Sequence, residues 1–266
     1  SRLQRLWACI PSHFGQPSPR RSVFNELPHA GFIRPPLRSS RSLPAPRAPR
    51  IRADLPNPFH QGRMRVPDFD FLAPLMEQQD YISKFEILDP KVTEITHNLD
   101  RFRPAFVGHP GNYVDIYADA FGITDPDTKT QLRSTAWLTV ANPKTIEDRD
   151  VVINRTDRWI PEEHNPQWSQ WRSEGIEQRA VFIGLEDEYL KFKAATGWDI
   201  PYQKTRTLLE VAEYIAGAGQ FIGNQSAALA VAIGLGHPSI LCEARRDLPR
   251  ERNECYFSNQ TNISYF

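Results

Sequence analysis

The residues of this sequence best suited to chemistry are an arginine, a polar four-residue turn and a glutamate, each placed where an apolar run ends. Arg155 follows Val151-Val152-Ile153-Asn154. Asn224, Gln225, Ser226 and Ala227 follow Gln220-Phe221-Ile222-Gly223 and open a run of small apolar residues. Glu243 ends the run Ser239-Ile240-Leu241-Cys242. A guanidinium matches phosphate oxygens two at a time. A polar turn between a buried strand and a helix presents free N–H groups and the positive end of the helix dipole, which favours a phosphate. An acid at a strand end accepts from ribose hydroxyls in dinucleotide-binding folds. Together they describe a site for a phosphate-bearing ligand. Each residue also has a plainer reading. Ser226 suits a helix cap, Arg155 an ion pair with Asp157 or Glu162, and Glu243 a solvated loop.

Strands and helices must alternate to bring these residues together. Leu208, Val211, Ala212 and Ile215 fall at i, i+3, i+4, i+7 spacing and predict a helix over 208–218. Strands are predicted at Val151–Asn154, at Ala180–Leu185 with a charged helix after it through Lys193, at Gln220–Gly223 and at Ser239–Cys242. A small-residue helix over 227–235 stops at Gly236 and Pro238. Upstream, Phe69–Met76 reads as a short amphipathic helix and Tyr81–Leu88 as a strand. Gly111–Gly122 reads as a helix with Val114, Tyr117, Ala118 and Phe121 on its face, and Thr135–Val140 as a strand. This alternation predicts an α/β fold, a Rossmann-like parallel sheet flanked by helices. Residues 149–245 should then carry Asn154 and Asn224 at strand carboxyl ends on the same edge.

The balanced charge conceals an asymmetry. Residues 1–66 hold twelve Arg, no Lys, and only Glu26 and Asp54 as acids, a net +10, so the remaining 200 residues carry −10. This stretch is rich in Pro and Ser and lacks periodicity, so residues 1 to about 60 are expected to lack a packed core and regular sheet pairing. Three readings stay open: an organelle-targeting segment, a basic tail suited to nucleic acid or anionic lipid, or a non-native translation product. From Pro67 the composition becomes that of a folded protein. No apolar run approaches the roughly 20 residues of a membrane helix. Cys9, Cys242 and Cys255 show neither metal spacing nor a disulfide framework. A reducing, cytoplasmic setting is expected.

Other features point less sharply. Glu162-Glu163-His164 lacks an i, i+4 ligand partner and reads as a solvated loop, so no metal is assigned. Trp159, Trp168 and Trp171 suit packing better than stacking on a base. The acids Glu186, Asp187 and Glu188 suit the amino-terminal charge set of a helix. Four sequons, at Asn154, Asn224, Asn259 and Asn262, are discounted because the first two fall at predicted functional turns and no secretory signal is visible. The sequence has no GxxxxGK[ST] loop and no complete GxGxxG.

The order of segments carries a resemblance. Asn154-Arg155-Thr156, a Trp-rich stretch and Phe182-Ile183-Gly184-Leu185-Glu186-Asp187-Glu188-Tyr189 come first. The helix over 208–218, Phe221-Ile222-Gly223-Asn224-Gln225-Ser226, a small-residue helix and a strand ending at Glu243 follow. Over about 149–245 this resembles the carboxy-terminal, nucleotide-sugar-binding half of GT-B glycosyltransferases. The likeness is nearest to the ADP-heptose:lipopolysaccharide heptosyltransferases of glycosyltransferase family 9 and their phage and metagenomic relatives. Residues 67–125 resemble more weakly the later part of that family's acceptor-binding domain. The resemblance implies a segment 1–66, a partial acceptor-side domain at 67–148 and a nucleotide-sugar-binding domain at 149–266. It implies a nucleotide-diphosphate sugar as donor, a glycan or other acceptor, and no further cofactor. Arg155, Asn224, Gln225, Ser226, Ala227 and Glu243 would be the donor-site residues. The family's amino-terminal Gly-rich turn is missing from residues 1–66, so no catalytic base is assigned. Two alternatives remain: a non-catalytic remnant that binds a partner, and a GT-B-fold nucleotide-sugar epimerase.

Overall fold

The computed structural model describes residues 50–53, 66–87, 97, 99–102, 112–156, 165–244 and 262–266. Six strands form the main sheet: β3 (Val151–Asn154), β4 (Ala180–Gly184), β5 (Tyr202–Lys204), β6 (Gln220–Asn224), β7 (Ile240–Glu243) and β8 (Ile263–Tyr265). Their order across the sheet is β5-β4-β3-β6-β7-β8, and each neighbouring pair is parallel. The chain begins in the middle with β3 and winds outward through β4 and β5. It then returns beside β3 with β6 and winds the other way. Counted from β3, this is the 3-2-1-4-5-6 order of doubly wound dinucleotide-binding sheets.

Both faces of the sheet are covered, as a parallel sheet requires. Successive side chains along a strand point to opposite faces. Val152, Val181, Ile183, Phe221, Ile240 and Cys242 lie on one face. They pack with α1 (Val66–Met76), α7 (Leu208–Gly217) and α8 (Ala227–Gly234). Val151, Ile153, Phe182 and Ile222 lie on the other, with Trp168 of α4 (Gln167–Ser173), Phe192 of α6 (Glu186–Thr196) and Trp198. Burying apolar side chains on two faces is the principal stabilisation of such a fold, about 25 cal/mol per Å² removed from water. A short α5 (Ile176–Arg179) leads into β4.

Local sequence fixes the helix ends. Thr207 accepts from the backbone N–H of Glu210 (3.2 Å), and the Glu210 carboxylate accepts from that of Arg206 (2.6 Å). This resembles a capping box moved back one residue. Asn112 caps α2 (Tyr113–Ala120) and Asp125 caps α3 (Pro126–Ser134), whose Pro lies in the first turn. Hydrogen bonds from Thr128 hold the Asp125 carboxyl below its ordinary range. Three acids in the first turn of α6 complement the helix dipole, and Gly197 ends that helix at φ +70°.

Several expectations are corrected. Thr135–Val140 forms no strand. Its backbone is paired with other groups: Trp137 and Leu138 N–H donate to the Gly234 carbonyl (2.8 Å each), and Tyr81 donates to the Trp137 carbonyl (2.7 Å). The buried Gln79 amide donates to the Thr139 carbonyl (3.1 Å) and accepts from the Thr139 N–H (2.9 Å), as a neighbouring strand would. In α2 the buried residues are Ile116, Tyr117 and Ala118, so the face is rotated from the one expected. The three-residue edge strands β5 and β8 were too short to show periodicity. Arg50–Ala53 (β1) pairs in parallel with Lys84–Ile87 (β2), within the segment expected to lack sheet pairing. Residues 1–49 and 54–65 lie outside the described residues. Leu72, Leu75, Met76, Ile82 and Phe85 pack in one core cluster with residues of the main sheet.

Candidate functional site

The winding of the sheet reverses between β3 and β6. In open α/β sheets, ligands bind in the crevice outside the carboxyl ends of the strands at such a point. Asn154 at the end of β3 pairs in register with Gly223, and Asn224 at the end of β6 pairs with Glu243 at the end of β7. The structure therefore brings the Asn154 and Asn224 turns to one edge, as the sequence predicted, and places Glu243 on that edge as well.

Side-chain amides close the gap between the two turns. The Asn224 Oδ1 accepts from Thr156 N–H (3.0 Å), and its Nδ2 donates to the Thr156 carbonyl (2.9 Å). One buried asparagine thus continues the β3–β6 ladder past the end of β6. Asn154 Nδ2 donates to the Ile183 carbonyl of β4 (2.9 Å), and its Oδ1 lies 3.4 Å from the Ser226 hydroxyl. Gly184 makes room for this amide: it has φ +125°, and a Cβ there would lie 2.5 Å from Asn154 Nδ2. Both asparagines of the first two sequons are therefore buried and engaged.

Ser226 is the N-cap of α8: its hydroxyl accepts from Leu229 N–H (3.3 Å). The Ala230 N–H donates to the Ser226 carbonyl (3.2 Å). The N–H groups of Ala227 and Ala228, the first two of α8, have no acceptor among the described residues. They are the oriented donors that a phosphate would use. Gln225 is buried beside them. The capping reading of Ser226 does not exclude the anion-site reading of the turn, because the hydroxyl serves Leu229 and not the first two N–H groups of the helix.

Arg155 and Glu243 meet each other. Arg155 Nε donates to Glu243 Oε2 (2.5 Å) and Nη2 to Oε1 (3.2 Å). Glu243 Oε1 also accepts from Trp168 Nε1 (3.0 Å). The Glu243 side chain has no exposed surface and that of Arg155 keeps 9%. The solvated-loop reading of Glu243 is overturned by this burial. Arg155 has a partner that the sequence did not suggest, 88 residues away. Trp168 is the site residue that sequence reasoning left as a packing anchor. It does pack, edge-on against Trp171, Phe192, Trp198 and Phe266. Its indole N–H also needs a partner once buried, and that was the available signal.

On the neighbouring strand, Glu186, Asp187 and Glu188 open α6 just beyond the end of β4. Tyr202 donates to the Gly184 carbonyl (2.9 Å), and burial, followed by these three acids, raises its pKa. Asp157, Trp159, Glu162, Glu163 and His164 lie outside the described residues, as do Cys9, Cys255 and Asn259. Among the described residues there is no group of three or more His, Cys, Asp or Glu placed to hold a metal, and no helix long and apolar enough to cross a membrane.

No protein-family model matches the chain, and no curated protein matches it. Among solved structures, a glycosyl transferase family 9 protein from Veillonella parvula is similar at a TM-score of 0.40 and 12% identity, over 70% of this chain and 52% of that one. The chain thus spans about half the length of that protein.

Proposed function

We propose that this chain binds the diphosphate of a nucleotide sugar at the β3/β6 crevice, as the donor-binding part of a glycosyltransferase. The observation that carries this reading is the reversal of winding between β3 and β6, with the amides of Ala227 and Ala228 opening α8 at that same point. Transfer of a glycosyl group leaves negative charge on the departing diphosphate, which fixed donors stabilise best. Ala227 and Ala228 supply N–H groups, the α8 dipole supplies a partial positive charge, and Arg155 supplies a guanidinium that it shares with Glu243. Asn154 and Asn224 hold the two turns in place. Glu243 would serve the site through Arg155 and not by accepting from ribose hydroxyls itself, and the acids opening α6 beyond β4 would take that role, as an acid beyond the second strand does in dinucleotide folds. The resemblance in the segment order extends the reading to a heptosyl or hexosyl donor and a glycan acceptor. The general base is left unassigned.

Calorimetric titration with ADP, GDP and UDP tests the reading. The wild type binds at least one of them. Arg155→Ala weakens that binding by about tenfold or more, matching roughly 1.5–3 kcal/mol for a hydrogen bond to a charged group. Ser226→Ala weakens it less, because the backbone donors remain. If a folded wild type binds none of the three, the reading fails. The second reading, a non-catalytic domain, is favoured by one observation: Arg155 is already paired within the fold. It expects no nucleotide affinity and a loss of stability alone on substituting Arg155.

A further inference from the structure

We infer that Glu243 is an internal counter-ion that competes with the ligand for Arg155 and sets how much negative charge a ligand must bring. This rests on the diphosphate reading of the crevice. β6 lies between β3 and β7 in the sheet, so the Arg155–Glu243 pair bridges across the end of β6, where Asn224-Gln225-Ser226 leaves the sheet. Strands lie about 4.8 Å apart, so the pair spans roughly twice that distance over the crevice floor. The guanidinium presents its Nε/Nη2 edge to the carboxylate. That edge is one a phosphate would use for two parallel hydrogen bonds. The carboxylate therefore occupies the position of an anion.

The two partners are not equally free to move. Glu243 stands at the end of a central strand, is fully covered, and is anchored by the indole N–H of Trp168. Trp168 is itself wedged among four aromatic rings. Arg155 sits on a turn beyond its strand, on a long side chain. An incoming anion therefore has to draw Arg155 away from a fixed carboxylate or share it. With the pair intact the Arg155 charge is neutralised, and among the described residues the amides of Ala227 and Ala228 are the donors left for an anion. A monoanion gains little from such a site. A diphosphate, with more charge and more acceptor oxygens, competes for the guanidinium.

The sign of one substitution separates this role from direct ligand contact. Glu243→Gln keeps shape and one acceptor oxygen but removes the competing charge. Diphosphate binding tightens by about tenfold or more, because a unit charge a few ångströms from the guanidinium no longer competes for it. A carboxylate that accepted from ribose hydroxyls would instead lose affinity. The experiment titrates inorganic pyrophosphate, ADP, GDP, UDP and the matching nucleosides into wild type, Glu243→Gln and Glu243→Asp, each checked for cooperative unfolding. Pyrophosphate and at least one nucleotide bind Glu243→Gln more tightly than wild type, and any nucleoside affinity is unchanged. Glu243→Asp, which keeps the charge but retracts it by one methylene, shows a smaller gain. It carries the comparison if the glutamine variant does not fold. Equal or weaker diphosphate binding by the variants overturns the inference and leaves the diphosphate site standing. Failure of pyrophosphate and all three nucleotides to bind folded wild type and variants overturns both.

Discussion

Gly184 and Asn224 show how individual residues build the site edge. A Cβ on Gly184 would meet the Asn154 amide at 2.5 Å, and the backbone there has φ +125°, which side chains rarely adopt. Gly184→Ala is expected to displace Asn154 and to destabilise the fold by about 1–3 kcal/mol, read as a lower urea midpoint. Asn224 presents a donor and an acceptor to the two backbone groups of Thr156. Asn224→Ala leaves both buried groups without that partner and is expected to cost about 1–3 kcal/mol in the same measurement. Asn224→Asp is expected to cost stability too, since the carboxylate accepts from Thr156 N–H but cannot donate to its carbonyl. These roles were hidden in the sequence. Asn154 and Asn224 stood out there as turn residues, but their partners lie 29 and 68 residues away.

At the scale of elements, α8 ties the site to the core. It is apolar all round, and seven of its eight residues are buried, so its placement depends on packing and on the Ser226 cap. Ser226→Ala is expected to lower stability by about 1 kcal/mol. Amide exchange should then quicken first at Leu229, whose N–H the hydroxyl accepts. At the other end of α8, Gly234 accepts from Trp137 and Leu138, and a Cβ there would come within 2.8 Å of both side chains. That contact, with Gln79 holding Thr139, explains why 135–140 looked like a strand. The segment's backbone is bonded, but its partners are a helix end and two side chains. A short apolar, β-prone run carries no information about what pairs with its backbone.

For the whole molecule, the edge of the sheet opposite the candidate site contains a junction whose stability is expected to depend on pH. His237 is buried; its Nδ1 accepts from Ser239 N–H (3.2 Å), and its Nε2 therefore donates to the Ala218 carbonyl (3.1 Å). The ring thus ties the end of α7 to the start of β7, and the backbone carbonyl of His237 accepts from Asn262 Nδ2 (2.8 Å) just before β8. Burial holds its pKa below the ordinary 6.5. The unfolded chain then takes up a proton near pH 6.5 while the folded one stays neutral. Stability is complete above about pH 6.5 and declines as the pH falls toward the folded-state pKa. Urea unfolding at pH 8, 6 and 5 should show this decline, and His237→Gln should flatten it while lowering stability at pH 8. Asp125, Asp150 and Asp199, held below their ordinary 3.8 by hydrogen-bonded partners, act only in more acid solution. A slope between pH 6.5 and 5 that survives in His237→Gln would exclude the histidine as its source.

The sequence by itself determined the α/β class, the main parallel strands and the edge that gathers Arg155, the Asn224–Ala227 turn and Glu243. Those features follow from local periodicity and capping chemistry, which a short window of residues contains. Only the tertiary structure decided the strand order, and with it the reversal of winding between β3 and β6. It alone paired Arg155 with Glu243 and gave Trp168 its second role. These depend on which distant segments become neighbours, and a guanidinium and a carboxylate 88 residues apart carry no mark of each other in the chain. Burial then changed what each group could do. A glutamate at a strand end could meet a ribose in water, but with no exposed surface it requires donors from the protein, and the fold supplies them.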